Sequence, residues 1–211
     1  MTSPRRRADA MQNRNRILDA ARAVILDSEE LRLNAVARRA GVGQATLYRH
    51  FPTREHLLAE VYRNDVDALV AAAPALLTDH PPLDALARWF DRVAEYARVK
   101  RGVFAAVEVG VWQDLSAHSL GPIGEAVTLL LDAGKADRTL RTDVDARDVI
   151  LLIGYLTRLE DAEWDQRAHH LLAVILDGLR FPGVCEGQTM CPTTMRAAER
   201  AERPEEESGT R

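Results

Sequence analysis

The sequence predicts an all-α fold of about nine helices, and three observations carry that prediction. Apolar residues recur at helical spacing along most of the chain, and no stretch alternates as a half-buried strand requires. Glycine and proline punctuate this pattern into helix-length pieces. Near the N-terminus, two short helical patterns meet at Ala40-Gly41-Val42-Gly43, which is the grammar of a helix-turn-helix.

Helix 1 presents Ile17, Ala21, Val24 and Ile25 on one face. Ahead of it, residues 1–13 read as a basic flexible arm, with Arg5-Arg6-Arg7 after Pro4. Such a run either meets phosphates or a minor groove or is simply solvated. The second helix contains Val36-Ala37-Arg38-Arg39-Ala40, and its start falls between Arg32 and Asn34. Asn34 can cap it or reach a phosphate. Gly41 sits where that helix must end in a left-handed conformation, and Val42 plugs the gap between the two helices.

Gln44-Ala45-Thr46 then opens the third helix, with Gln44 and Thr46 placed for base edges; glutamine can pair bidentately with adenine. Leu47 and Phe51, one turn apart, face the core, while Tyr48, Arg49 and His50 face outward. Three consecutive exposed hydrogen-bonding side chains suit a DNA backbone. The motif occupies residues 33–52 within a domain spanning 14–58.

Thr53 caps helix 4, with His56 where a glutamate would complete a capping box. This helix continues through Leu57, Leu58, Val61, Tyr62 and Leu69 until Pro74 kinks or ends it. Pro81-Pro82 breaks the chain before a helix from Leu83 to about Lys100, and Gly102 separates that from Val103–Leu115. Gly121-Pro122 marks a further start, with a helix to about Ala133. Asp145 caps the next helix with help from Asp148, and the last runs from Glu163 to Asp177. Residues 59–181 thus form the second domain. From Pro182 to Arg211 the chain has too few apolar residues to pack and is expected to be disordered.

The run Gly41-Val42-Gly43, Thr46 to Glu55 and Leu57 resembles the tetracycline-repressor family of one-component regulators, over about residues 14–62. Arg32 departs from the capping threonine common there, Gly43 from the usual serine cap, and Arg54 from the frequent lysine. The resemblance implies a three-helix DNA-binding domain joined to a dimerising, ligand-sensing helical domain. It implies that Tyr48, His50 and Arg54 hold phosphates and that Gln44, Ala45 and Thr46 lie over bases. Arg32, Asn34, Arg38 and Arg49 complete the expected DNA-contacting set.

Charge points the same way. Residues 1–56 hold eleven arginines and six acids, a balance of +5 in a chain of net −4. An acidic protein with one basic end is expected when only that end meets nucleic acid.

Val149-Ile150-Leu151-Leu152-Ile153 and Leu171 to Leu176 are apolar over more than one helix face. They predict a four-helix homodimer interface through Ile150, Leu152, Ile153, Leu156, Leu172, Ile175 and Leu179, or else helices central to their own monomer. Five of eleven aromatics fall between residues 89 and 112. Trp89, Val93, Tyr96, Phe104, Glu108, Val111 and Trp112 form the candidate effector pocket; core packing explains the same stripes. Glu108, the sole polar residue in Val103–Trp112, would favour a cationic or hydrogen-bond-donating ligand if it lines that pocket.

Other classes lack their signals. No phosphate loop, nucleophile elbow or paired metal-ligating histidines occur, so neither an enzyme nor a metal or cofactor site is expected. Cys185 and Cys191 favour neither a metal site nor a structural disulfide. No uncharged apolar run approaches the ~20 residues that cross a membrane, and a cytoplasmic location is expected. The expected function is a regulator, by family default a repressor, that binds an inverted-repeat DNA operator as a homodimer and is released by a small-molecule effector. An effector-independent or activating regulator of the same fold is the alternative.

Overall fold

The computed structural model describes residues 4–27, 31–106 and 109–181, apart from the side chains of residues 4–7, 105–106, 109–118 and 161. Its α-helices are α1 (Pro4–Asp27), α2 (Leu33–Ala40), α3 (Gln44–His50), α4 (Arg54–Asp79), α5 (Pro82–Ala106), α6 (Val109–Ala136), α7 (Ala146–Gly154) and α8 (Asp161–Leu179). A 3-10 turn, Tyr155–Arg158, joins α7 to α8. Among the described residues the only β-type pairing is an isolated bridge between Leu140 and Arg180. The chain is all-α, as its periodicity predicts.

Helix α4 is the organising element: α5 and α6 pack along it, and α1 packs on its N-terminal part. Leu57, Leu58, Val61, Tyr62, Val66 and Leu69 of α4 are buried. Trp89, fully buried on α5, donates its indole N–H to the Leu69 carbonyl at 3.0 Å and fixes the α4–α5 register. The expected boundary between residues 58 and 59 falls inside α4, so one continuous helix belongs to both halves.

Several expected breaks are absent. Residues 4–13, expected as a flexible arm, are the first turns of α1. Pro4 takes the first helical position, where its missing N–H costs nothing, and the Arg, Ala, Met and Gln that follow are good helix formers. Pro74 lies inside α4 without ending it. Ala72 and Ala73 before it are buried, and Leu76 and Leu77 after it pack against the core. That burial outweighs one lost backbone hydrogen bond.

Gly102 lies within α5, and Gly121-Pro122 within α6. Gly121, lacking a Cβ, eases the clash that a proline imposes on the residue before it, and Ile123, Ala126, Val127, Leu130 and Leu131 bury the following face. Helix α8 likewise runs past Gly178 because Trp164, Ala168, Leu172 and Leu179 are buried along its length. Asp145 does cap α7: its side chain accepts from the Asp148 N–H, and Asp148 accepts from the Asp145 N–H, both at 3.0 Å. Residues 182–211, with Cys185 and Cys191, lie outside the described residues.

Gly102 marks a close approach of two helices. A Cβ placed there would lie 2.5 Å from Cγ2 of Ile25, near the end of α1. The Gly102→Leu variant is therefore expected to lose about 1–3 kcal/mol through overpacking. Urea denaturation at fixed protein concentration checks this, and an unchanged or raised midpoint would mean that α1 and α5 do not meet here.

Candidate nucleic-acid interface

Helices α1 to α3 share a core with the start of α4: Ile17, Leu18, Ala21 and Val24 pack with Val36, Ala37, Ala40, Leu47, Phe51, Leu57 and Leu58. The turn between α2 and α3 is closed by its own backbone. Gly41 adopts φ 64°, ψ 35°, its N–H donates to the Arg38 carbonyl at 3.2 Å, and the Val42 N–H reaches Ala37 at 3.0 Å. These are the two bonds of a Schellman motif, and the left-handed residue in it favours glycine.

Gly43 then starts α3 in an extended conformation, and its carbonyl accepts from Thr46 and Leu47. One face of α3 is anchored, with Leu47 and Phe51 buried. The other carries Gln44, Ala45, Tyr48 and Arg49 exposed, with Thr46 and His50 partly so. Tyr48 is 47% exposed, so its ring stands largely outside the core.

The structure brings most of the sequence-derived set to this face. Arg32 occupies the N-cap position of α2, which resolves where that helix starts. Asn34 therefore lies in the first turn and is not its cap. Instead its Oδ1 accepts from Gln44 Nε2 at 2.9 Å, joining α2 to the first residue of α3. Arg32 and Arg38 are exposed, and Arg49 Nε leans back to the Ala45 carbonyl at 3.4 Å.

Thr53 caps α4 by accepting the His56 N–H at 3.1 Å, so half of a capping box suffices. Arg54, at the first position of α4, has a buried Nε with no hydrogen-bond partner.

Sequence reading missed how the reader is tied to the rest of the molecule. Arg14 of α1 pairs with Glu60 of α4 and lies 5.6 Å over the Phe51 ring. Arg22 Nε donates to Asp65 of α4 at 2.9 Å, and its Nη2 donates to Glu95 of α5 at 2.9 Å. Burial pushes the Asp65 carboxyl above its ordinary range, opposed by the Arg22 guanidinium. The signal was available: Asp65 interrupts the apolar stripe of Leu58, Tyr62 and Leu69 at helical spacing. Deeper in, the Tyr62 hydroxyl lies 2.9 Å from that of Tyr96 and 2.7 Å from Ser119 Oγ, linking α4, α5 and α6. Burial raises the Tyr96 phenol well above its usual value, so it stays neutral and serves as a hydrogen-bonding hydroxyl.

Two candidate sets divide. Of the expected pocket, Trp89, Val93 and Tyr96 are buried in the core, whereas Phe104 is 56% exposed and borders a different space. Glu108 lies outside the described residues, as do the side chains of Val111 and Trp112. Of the expected interface, Ile153, Leu156, Leu172 and Leu179 are buried in their own chain, the alternative the sequence left open, whereas Ile150 and Ile175 are partly buried and Leu152 is exposed. An apolar run wider than one helix face serves the monomer core with one side and leaves the other uncovered. The uncovered side consists of Leu151 (64% exposed), Leu152 (51%), Tyr155 (64%) and Val174 (54%).

Known proteins match both halves. Residues 17–61 match the family model for bacterial regulatory proteins of the tetR family, and residues 81–181 match the C-terminal domain of SbtR-like transcriptional regulators. A solved TetR transcriptional regulator from Streptomyces coelicolor is 36% identical, covering 79% of this chain and 98% of that one at a TM-score of 0.70. This chain belongs to the TetR family. A TetR regulatory protein from Mycobacterium vanbaalenii, 30% identical, covers 82% of this chain and 98% of its own at a TM-score of 0.67.

The HTH-type transcriptional repressor LfrR of Mycolicibacterium smegmatis is 32% identical over 143 residues, 65% of this chain and 74% of LfrR. As a TetR-family member the protein is a DNA-binding transcriptional regulator of helix-turn-helix type, not an enzyme. Among the described residues, no helix is long and apolar enough to cross a membrane.

The hydroxyl cluster yields a test of how firmly α4 is held. Tyr62→Phe removes the hydroxyl that meets both Tyr96 and Ser119 and is expected to cost about 0.5–1.5 kcal/mol. Thermal and urea unfolding measure it; a loss within error would mean that the Tyr62 hydroxyl does not hold α4 in place.

Proposed function

We propose that this TetR-family protein is a repressor that binds an inverted-repeat operator as a homodimer and leaves it when a small organic effector enters the helical domain. The observation that carries the DNA-reading part is α3 itself: Leu47 and Phe51 anchor it while Gln44, Ala45, Tyr48 and Arg49 stand outward. In this reading Gln44, Ala45 and Thr46 face base edges. Tyr48, Arg49, His50 and Arg54 hold phosphates, with Arg32, Asn34 and Arg38 at the flank.

Dimerisation is assigned to the uncovered apolar side of α7 and α8, centred on Leu151, Leu152, Tyr155 and Val174. Large apolar side chains left exposed in this way are costly in water and favour self-association about a two-fold axis. A dimer sets two recognition helices about 34–36 Å apart, one DNA turn. The repressor sign is supported by the likeness to LfrR, which is named a repressor.

Selection of genomic fragments by the purified protein, at near-physiological salt, tests the reading directly, because low salt rewards non-specific phosphate binding. A short inverted repeat is expected, and recovery without sequence preference would overturn it. The Leu152→Arg variant is expected to be monomeric by light scattering and to lose that repeat; a dimer that retains it would move the interface elsewhere.

Base-reading and phosphate-holding residues separate in a second experiment. Gln44→Ala is expected to relax preference at one operator position by roughly 1–3 kcal/mol, whereas Tyr48→Phe weakens all operator variants about equally. Competition binding against a panel of operator variants distinguishes them; an unchanged ranking for Gln44→Ala would remove it from base contact.

A further inference from the structure

Helix α5 packs on α4, α6 and α8 and belongs to the body of the molecule, and α1 of the reader meets it at two points. At one, Ile25 of α1 lies so near Gly102 that a Cβ there would come within 2.5 Å of its Cγ2. At the other, Arg22 Nη2 donates to Glu95 at 2.9 Å. The apolar contact has no preferred direction, so on its own it leaves α1 free to turn about it. The hydrogen-bonded ion pair is directional and opposes that turn.

The two carboxylates on Arg22 differ in kind. Asp65 is buried and accepts from Nε with both oxygens, at 2.9 and 3.3 Å. It stands on α4, whose first turns share the core of the reader, and it holds the guanidinium in one orientation with Nη2 presented to α5. Glu95 is 67% exposed and stands on the body. A cavity of about 70 Å³ lies between the three helices, lined by Arg22, Asp65 and Glu95 together with Leu69, Arg92 and Tyr96. Close packing therefore does not fill this corner, and the bond to Glu95 spans it.

We propose that Glu95 is a positioning residue for DNA recognition: through Arg22 it sets the angle at which the body carries α1, and with it α2 and α3, and so the half-site spacing that the protein accepts. The proposal rests on the reading of the chain as a dimer that binds an inverted repeat. In such a dimer the two bodies are joined and each carries one reader. Play between reader and body then becomes play in the distance between the two recognition helices. One base pair more or less shifts a half-site by about 3.4 Å and turns it by about 35°. A fixed mounting rejects that change, and a loose one tolerates it.

Positioning can be separated from folding at this residue. An exposed ion pair contributes little to stability, so Glu95→Ala leaves the fold intact, whereas replacing Asp65 would strand the Arg22 charge in a partly buried place. Asp91, exposed one turn earlier on α5, carries the same charge and makes no bond to Arg22, so Asp91→Ala controls for the change in charge towards DNA.

The inverted repeat recovered by genomic selection is remade with its half-sites one base pair closer and one farther apart. All three duplexes are titrated with the full-length protein by fluorescence anisotropy at near-physiological salt. The wild type is expected to prefer its own spacing, and Glu95→Ala to lose about threefold or more of that preference, the scale an exposed ion pair allows. Asp91→Ala is expected to keep it, and the urea midpoints of all three proteins to agree. Without DNA, amide hydrogen exchange is expected to quicken in α1 of Glu95→Ala and to stay unchanged in α8.

Wild-type spacing preference in Glu95→Ala, an equal loss in Asp91→Ala, or unaltered exchange in α1 would overturn the proposal. So would a lowered urea midpoint with exchange quickened in every helix, since Glu95 would then hold the fold and not the reader. A wild-type protein that recovers no inverted repeat sinks the dimeric operator reading instead. The exchange of α1 in Glu95→Ala, which needs no DNA, then still decides whether Glu95 holds the reader.

Discussion

Arg22 holds the reader to the body. From α1 its guanidinium reaches Asp65 on α4 and Glu95 on α5, each at 2.9 Å, so one side chain joins three helices. Asp65 is buried, and a buried carboxylate without its cation is far costlier than the pair is beneficial. The contact therefore acts less as a source of stability than as a fixing of register, because a shifted α1 would strand a charge. Since α2 packs on α1 and α3 on α2, the attitude of the recognition helix follows from where Arg22 is held.

The same logic runs through the core of the larger part. The Tyr62, Tyr96 and Ser119 hydroxyls are buried together and satisfy one another across α4, α5 and α6, and Trp89 gives its N–H to a backbone carbonyl of α4. Apolar packing alone tolerates small slides of one helix past another. Hydrogen bonds with a range of a few tenths of an ångström do not. Helix α4 is thus located along its length by polar contacts: Glu60 and Asp65 near the reader, Tyr62 between them, and Leu69 under Trp89.

What was legible in the sequence was whatever is decided locally. The Gly41 turn, the buried Leu47 and Phe51, and the Asp145 cap each depend on residues within a few positions of one another, and local chemistry specifies them. Pro74, Gly102 and Gly121-Pro122 misled for the opposite reason. Each carries a local cost, and burial against distant helices outweighs it, which a single chain read along its length does not display. Leu156 and Leu172 illustrate a further limit: an apolar run announces burial but not whether the covering surface belongs to the same chain. Asp65 was readable in principle, since a carboxylate on an apolar stripe demands a cation, but its partner lies 43 residues away.

The turn between α2 and α3 also has a history in time. Its closing bond, from Val42 to Ala37, spans five residues, whereas Arg22 finds Asp65 and Glu95 across 43 and 73. The entropy lost in closing a loop rises with its length, and contacts distant in the chain come together more slowly. The shape of the reading head is thus settled by its own short segment, while its mounting waits for the body to assemble.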